Sequence, residues 1–124
     1  MFKKLVDEAK RRTPHAKIVY INSRVEPQQY KTLIMAGFYN NTNKDIVAFE
    51  FTCDMTDSFN RPVYFMQGGR RTSTFRLLMQ NANFPAKCTL VLDADLYGDN
   101  HLSTQARNFR IHLIRFADGT VWGR

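Results

Sequence analysis

One stretch of the chain constrains its fold more than any other: nine residues, 47–55, in which apolar and polar side chains alternate. The apolar set, predicted to face one side, is Val47, Phe49, Phe51, Cys53 and Met55, and the opposite set is Ala48, Glu50, Thr52 and Asp54. Alternation with a period of two over this length predicts a β-strand with one buried face. It indicates the fold class but no particular reaction.

Further strand patterns follow one another at short spacing along the chain. They cover residues 16–24, 29–39, 46–55, 63–66, 72–79, 87–97, 107–116 and 120–122, with a short helix as the alternative for 72–79. Turn residues separate them, including Gly68-Gly69, residues 81–85 and 98–103, and Asp118-Gly119. Many short strands with turn signals between them predict a mainly β, antiparallel β-sandwich, with a partly open barrel as the alternative.

The N-terminus carries a helical pattern instead. Phe2, Leu5, Val6 and Ala9 share one face of a predicted helix over residues 2–12, which Thr13-Pro14 ends. A helix this short is unstable alone in water, so we expect it to dock on the sheet, with a second subunit or a membrane as alternatives. The 124 residues are thus predicted to form a single domain, with the helix in 1–14 and the sandwich in 16–122.

The compartment is predicted from what the sequence lacks. The first residues contain no apolar core typical of a signal peptide, and no apolar run approaches the ~20 residues of a transmembrane helix. These features favour a cytoplasmic protein without a membrane span. Cys53 and Cys88 both lie on apolar sides of predicted strands, so both are expected to be buried free thiols, with a disulfide between sheets as the alternative.

Four short motifs resemble those of a known family. They are the turn at residues 40–42, Ile46-x-x-Phe49-x-Phe51, Asp57-x-x-Asn60-x-Pro62-Val63, and Phe116-x-Asp118-Gly119-Thr120-x-Trp122. Together they make residues 16–122 similar to small bacterial immunoglobulin-like sandwich domains of the FxLYD-like type. The resemblance implies an immunoglobulin-like fold and a non-catalytic interaction module, and it supplies no catalytic residues. Asn60 stands where the family has glycine, so we expect it to adopt the left-handed conformation.

A basic segment is the main candidate for function. Residues 58–92 contain no Asp or Glu, and the whole chain has a net charge of +7. Arginine makes bidentate contacts to phosphate and carboxylate, and exposed aromatic rings can stack on bases. A second arginine set near the end, residues 107–124, could join the first across the sandwich. The predicted ligand-binding residues are Arg61, Tyr64, Arg70, Arg71, Arg76, Phe84, Arg107 and Arg110. The alternative is a solvated basic loop above aromatic core residues.

Other chemistry finds little support in the sequence. His15, His101 and His112 lack zinc-site spacing, and the acidic stretch 93–100 lacks the bidentate Glu of a calcium loop. No serine lies in a nucleophile elbow, and Gly68-Gly69 lacks the Lys and Ser/Thr of a phosphate loop. We therefore predict no catalytic residues, no metal and no cofactor, and a protein that is not an enzyme.

Three functional hypotheses remain from the sequence. The first is a binding module, an adaptor or inhibitor, whose basic loop face engages an acidic protein partner. The alternative is nucleic-acid or nucleotide binding through the arginine cluster, with Tyr64 or Phe84 stacking on a base. The third is a homodimer formed through the helix face or an exposed sheet edge.

Overall fold

A computed structural model describes residues 2–28, 30–97 and 105–123, and the fold of this part is mainly β. One helix, α1 (Phe2–Arg12), precedes the strands, as predicted. The strands are β1 (Ile18–Pro27), β2 (Lys31–Asn40), β3 (Ile46–Thr56), β4 (Phe65–Gln67), β5 (Arg70–Thr72), β6 (Thr74–Met79), β7 (Thr89–Tyr97), β8 (Gln105–Phe116) and β9 (Val121–Gly123). The segment 72–79 is therefore not helical: Thr72 ends β5, and β6 begins at Thr74. The predicted loop at 98–103 lies entirely outside the described part.

The strands form three antiparallel sheets. The first sheet has three strands in the order β1-β2-β7, and the second has four in the order β6-β3-β8-β9. Strands β4 and β5 form a separate hairpin. Long strand β3 is thus central in the second sheet, between β6 and β8, while β6 and β9 are its two edges.

The two larger sheets share one hydrophobic core. Phe38 of β2 lies with its ring centroid 5.6 Å from that of Phe49 and 5.2 Å from that of Phe51, both on β3. The alternation in β3 is confirmed for four of its five apolar residues, because Phe49, Phe51, Cys53 and Met55 are all buried. Contacts between aromatic rings from both sheets therefore hold the two layers together.

Val47 departs from the alternation because the strand is irregular at its start. The register between β3 and β8 shifts between Ile46 and Ala48, so Ile46 enters the core and Val47 is only half-buried. Thr52 departs in the opposite sense: it lies on the outer face of the second sheet and is nevertheless buried. Side chains from β8 cover it, as described below.

The prediction that Cys88 is buried is wrong. The strand β7 begins only at Thr89, and Lys87 adopts a positive φ of 58° that turns the chain before the strand starts. Cys88 therefore precedes the regular alternation and is exposed, whereas Cys53 is buried. Both cysteines are free thiols.

The helix α1 docks on its own sheet. Its Val6 and Ala9 are buried, and α1 packs against β1. Leu5, predicted to share their face, remains partly exposed. Val6 and Ala9 are therefore covered by other parts of the same chain. Among the described residues, no helix combines the length and apolar character that crossing a membrane requires.

Candidate functional site

The β4–β5 hairpin carries two of the predicted arginines, and a glycine pair shapes it. Gly68 and Gly69 join Gln67 to Arg70 with positive φ angles of 60° and 75°. Two consecutive positive φ values characterise the type I′ turn, whose twist matches that of paired strands. The chain thus reverses within two residues, and Arg70 and Arg71 follow the tip directly.

Two residues fix the hairpin to the rest of the molecule. Phe65 is buried in the core. The Gln67 side-chain amide donates to the Arg76 carbonyl at 3.0 Å, and the Arg76 backbone N–H donates to Gln67 Oε1 at 2.9 Å. The Gln67 side chain thus makes two hydrogen bonds to the β6 backbone of the kind that a neighbouring strand would make. These bonds hold the hairpin along the edge of β6.

The outer face of the hairpin combines positive charge with exposed apolar surface. Met66 pairs with Arg71 across the hairpin, and the Arg71 guanidinium carbon lies 4.9 Å from the ring centroid of Tyr64. Tyr64 is 53% exposed and Met66 is 61% exposed. We call Tyr64, Met66, Arg70 and Arg71 the hairpin surface. Neither of these arginines forms an ion pair within residues 2–28, 30–97 and 105–123.

A groove of about 540 Å³ separates the hairpin from the outer face of the second sheet. Arg70 and Arg76 line it together with Glu50. Arg76 Nη1 lies 2.6 Å from Glu50 Oε1, so this arginine is already compensated by a carboxylate. The groove is consequently less basic than its arginine content suggests.

Arg110 approaches Arg76 from the other side of β3. Thr52 is opposite Arg76 in the β3–β6 register and opposite Arg110 in the β3–β8 register. The Thr52 hydroxyl accepts from Arg110 Nε at 3.3 Å and lies 2.8 Å from His112 Nε2. Arg76 and Arg110 therefore flank Thr52 on the two neighbouring strands, and the side chains of Arg110 and His112 cover its hydroxyl.

The positive charge of Arg110 is also compensated. Its Nη2 lies 3.0 Å from Asp54 Oδ1, and Asn108 and Thr74 donate to the same carboxylate at 2.9 and 3.1 Å. The hydrogen bond from Arg110 is the largest cause that lowers the pKa of Asp54, and partial burial opposes it. Asp54 is thus held as a carboxylate that neutralises Arg110.

Arg61 and Arg107 lie at the turn that follows β3. Arg61 Nε is 2.8 Å from Asp57 Oδ2, and the Arg61 guanidinium carbon lies 5.1 Å from the ring centroid of Phe59. The Arg61 backbone N–H is the main cause that lowers the pKa of Asp57. Arg107 donates to the side-chain oxygen of Asn60, whose φ of 63° confirms the left-handed conformation predicted for it.

Phe84 is not available to stack on a ligand, and this part of the prediction needs correction. It is 1% exposed, its ring centroid lies 5.8 Å from that of Phe49, and its backbone pairs with that of Ile46. The segment that contains Phe84 pairs with the first residue of β3, Ile46, and this pairing places the Phe84 ring in the core. Met66 and Gln67 were missed, because residues 63–66 are apolar throughout and their pattern does not indicate which side chains are exposed.

The described residues offer no set of ligands for a metal. In residues 2–28, 30–97 and 105–123, no three or more His, Cys, Asp or Glu side chains come together in an arrangement that could hold an ion. The calcium-like stretch 93–100 is only partly described, because residues 98–100 lie outside this part.

No protein family, no curated protein and no solved structure matches this chain. Its function must therefore be argued from its own surface.

Proposed function

We propose that this chain is a non-catalytic binding module that engages an acidic protein partner through the hairpin surface. The observation that carries the proposal is the placement of Arg70 and Arg71, which are exposed and lack a carboxylate partner among the described residues. Arg71 adjoins exposed Tyr64 and Met66, and Arg70 precedes it in the chain and lines the groove beside the hairpin. Arginine, tyrosine and methionine are enriched in protein interfaces, and arginine and tyrosine dominate their binding energy. An acidic segment with apolar side chains complements such a surface.

The distribution of charge supports a protein partner over a nucleic acid. Arg61, Arg76 and Arg110 are paired with Asp57, Glu50 and Asp54 respectively. A phosphate backbone is bound by several uncompensated cations along its path, because each phosphate contact releases a counterion. Arginines that are already paired with a carboxylate contribute little to the affinity gained from counterion release. The guanidinium groups of Arg70 and Arg71, which pair with no carboxylate of the described residues, suit a short acidic segment better.

An immunoglobulin-like sandwich architecture is part of the proposal. Two antiparallel sheets around one core, the turn at Asp57 with left-handed Asn60, and the Asp118-Gly119 turn that leads into β9 all support it. Small sandwich domains commonly act by presenting loops and hairpins to partners, which agrees with a non-catalytic role.

The test compares two labelled probes by fluorescence anisotropy, from low to physiological salt. One is an acidic peptide that contains Glu, Asp and a few Leu and Phe residues, and the other is a single-stranded oligonucleotide. We expect the peptide to bind, and the double substitution Arg70→Ala/Arg71→Ala to weaken its binding about 30-fold, equivalent to roughly 2 kcal/mol. Tyr64→Ala should weaken it as well.

Lys3→Ala/Lys4→Ala is the matched control, because it removes the same charge from exposed positions on α1. If this control weakens the peptide as much as the arginine substitution does, binding depends on net charge and not on the hairpin. Oligonucleotide binding that exceeds peptide binding and falls steeply with salt would instead favour the nucleic-acid alternative.

A further inference from the structure

A second concave feature lies on the opposite edge of the second sheet from the hairpin. The last turn of α1, the start of β1, and strands β8 and β9 enclose a cavity of about 340 Å³. The first sheet ends at β1 and the second ends at β9, so the space between the layers is open on this side. Helix α1 covers part of the opening, and the cavity is what remains.

The floor of the cavity is apolar. Ile18 and Ile114 form its deepest described part and are buried in the core. Phe109 and Ile111 of β8 continue this wall, and Tyr20 stacks on Phe109 with a centroid distance of 4.3 Å and an interplanar angle of 9°. The aromatic pair gives the wall a flat, rigid surface against which an apolar group can pack.

The rim, in contrast, is basic. Arg12, His15 and Lys17 line the mouth and are exposed, and none of the described residues that line the cavity is Asp or Glu. None of the three forms an ion pair with any residue of the described part of the chain. Trp122 of β9 completes the rim with an indole ring that is 39% exposed. Uncompensated cations above an apolar floor complement an anion that carries an apolar body.

We propose that this cavity binds a small amphipathic carboxylate. Its apolar body packs on Phe109, Ile111 and Trp122, and its carboxylate accepts hydrogen bonds from Arg12 and Lys17. Ligand sites of this kind are concave and mostly apolar with a few polar groups that fix orientation, and a volume near the lower end of their range suits a small ligand. The cavity shares no residue with the hairpin surface, so this inference does not depend on the proposed function.

Trp122 provides a direct readout, because it is the only tryptophan in the chain. The probe is octanoate below its micellar concentration at fixed neutral pH, and 1-octanol is the uncharged control. We expect octanoate to change the Trp122 emission saturably, and octanol to bind more weakly. Arg12→Ala/Lys17→Ala should weaken octanoate binding about tenfold and leave octanol binding unchanged, because only the charge-assisted hydrogen bonds are lost.

Arg11→Ala is the matched control on the same helix turn, since Arg11 is exposed and does not line the cavity. It should leave octanoate affinity unchanged. Ala16→Met, which adds volume to the lining, should weaken both probes. The proposal is overturned if no saturable change occurs, if octanol binds as tightly as octanoate, or if the rim substitutions bind octanoate as well as the unaltered chain.

Discussion

At the scale of single residues, the two cysteines show how strongly local surroundings set chemistry. Cys53 is buried on β3, and this burial, reinforced by the nearby charge of Asp54 and opposed by that of Arg110, raises its pKa to about 12. Cys88 lies just before β7 and is exposed. Because the thiolate is the reactive species, burial makes Cys53 unreactive, and Cys88 is the thiol that a reagent can reach.

We therefore predict that the native chain takes up a single alkyl group from excess iodoacetamide at mildly alkaline pH. Mass spectrometry should place it on Cys88, and Cys88→Ser should remain unmodified under the same conditions. Denaturant should make Cys53 reactive in both chains, because unfolding removes the burial that suppresses its thiolate. Modification of native Cys88→Ser would show that β3 opens readily, contrary to the packing described above.

Single residues also mark the limit of what the sequence predicts. The left-handed conformation of Asn60 was predictable, because asparagine tolerates positive φ in a turn. The positive φ of Lys87 was not predictable, since lysine has no such preference. Because this turn was missed, Cys88 was wrongly predicted to be buried. Gly123 is similar: at its φ of 90°, a Cβ would lie 2.0 Å from the His112 carbonyl oxygen, a contact that only the folded structure reveals.

At the scale of elements, the sequence predicts what is local and misses what depends on register. The helix and most strands were predictable because hydrophobic periodicity is a property of consecutive residues. The placement of Arg76 and Arg110 on either side of Thr52 was not predictable, because it depends on how β6 and β8 align with β3. A shift of one residue in either pairing would send these side chains elsewhere. The ion pairs of Arg76 with Glu50 and of Arg110 with Asp54 could not be predicted for the same reason.

The attachment of the hairpin is the clearest prediction at this scale. Gln67→Ala removes both hydrogen bonds to the Arg76 backbone, so the edge of β6 loses its covering side chain there. We expect the unfolding free energy to fall by about 1 kcal/mol, the usual net contribution of such hydrogen bonds. Hydrogen–deuterium exchange at the Arg76 amide should become faster, because its N–H loses its acceptor.

Met66→Ala is the control for this substitution, since Met66 neighbours Gln67 and is exposed on the hairpin surface. It should leave exchange at Arg76 unchanged. Equal protection of Arg76 in Gln67→Ala would mean that the hairpin is held to β6 by Phe65 alone.

At the scale of the whole molecule, the second sheet places the two proposed sites at opposite edges. The hairpin lies along β6 and the cavity adjoins β9, with β3 and β8 between them. Both therefore depend on one packed core for their geometry. Phe38 is central to it, because its ring from the first sheet contacts Phe49, Phe51 and Phe109 of the second.

Truncating Phe38 should consequently destabilise the whole domain and not one layer. Phe38→Ala removes a fully buried ring, and we expect it to lower the unfolding free energy by about 3–5 kcal/mol. Phe59→Ala is the matched control, because the Phe59 ring is 75% exposed, and it should change stability by no more than about 0.5 kcal/mol. A domain whose stability lies at the lower end of the usual range of about 5–15 kcal/mol survives the first change only narrowly.

Urea unfolding followed by two probes tests whether the layers unfold together. Trp122 fluorescence reports the edge of the second sheet, and far-UV circular dichroism reports strands of both sheets. No disulfide links the two sheets, since both cysteines are free, so the shared core must couple them. We expect the two transitions to coincide in the unaltered chain and in Phe38→Ala, as two-state unfolding requires. Separate transitions would show that each sheet keeps its own stability and that the shared core does not couple them.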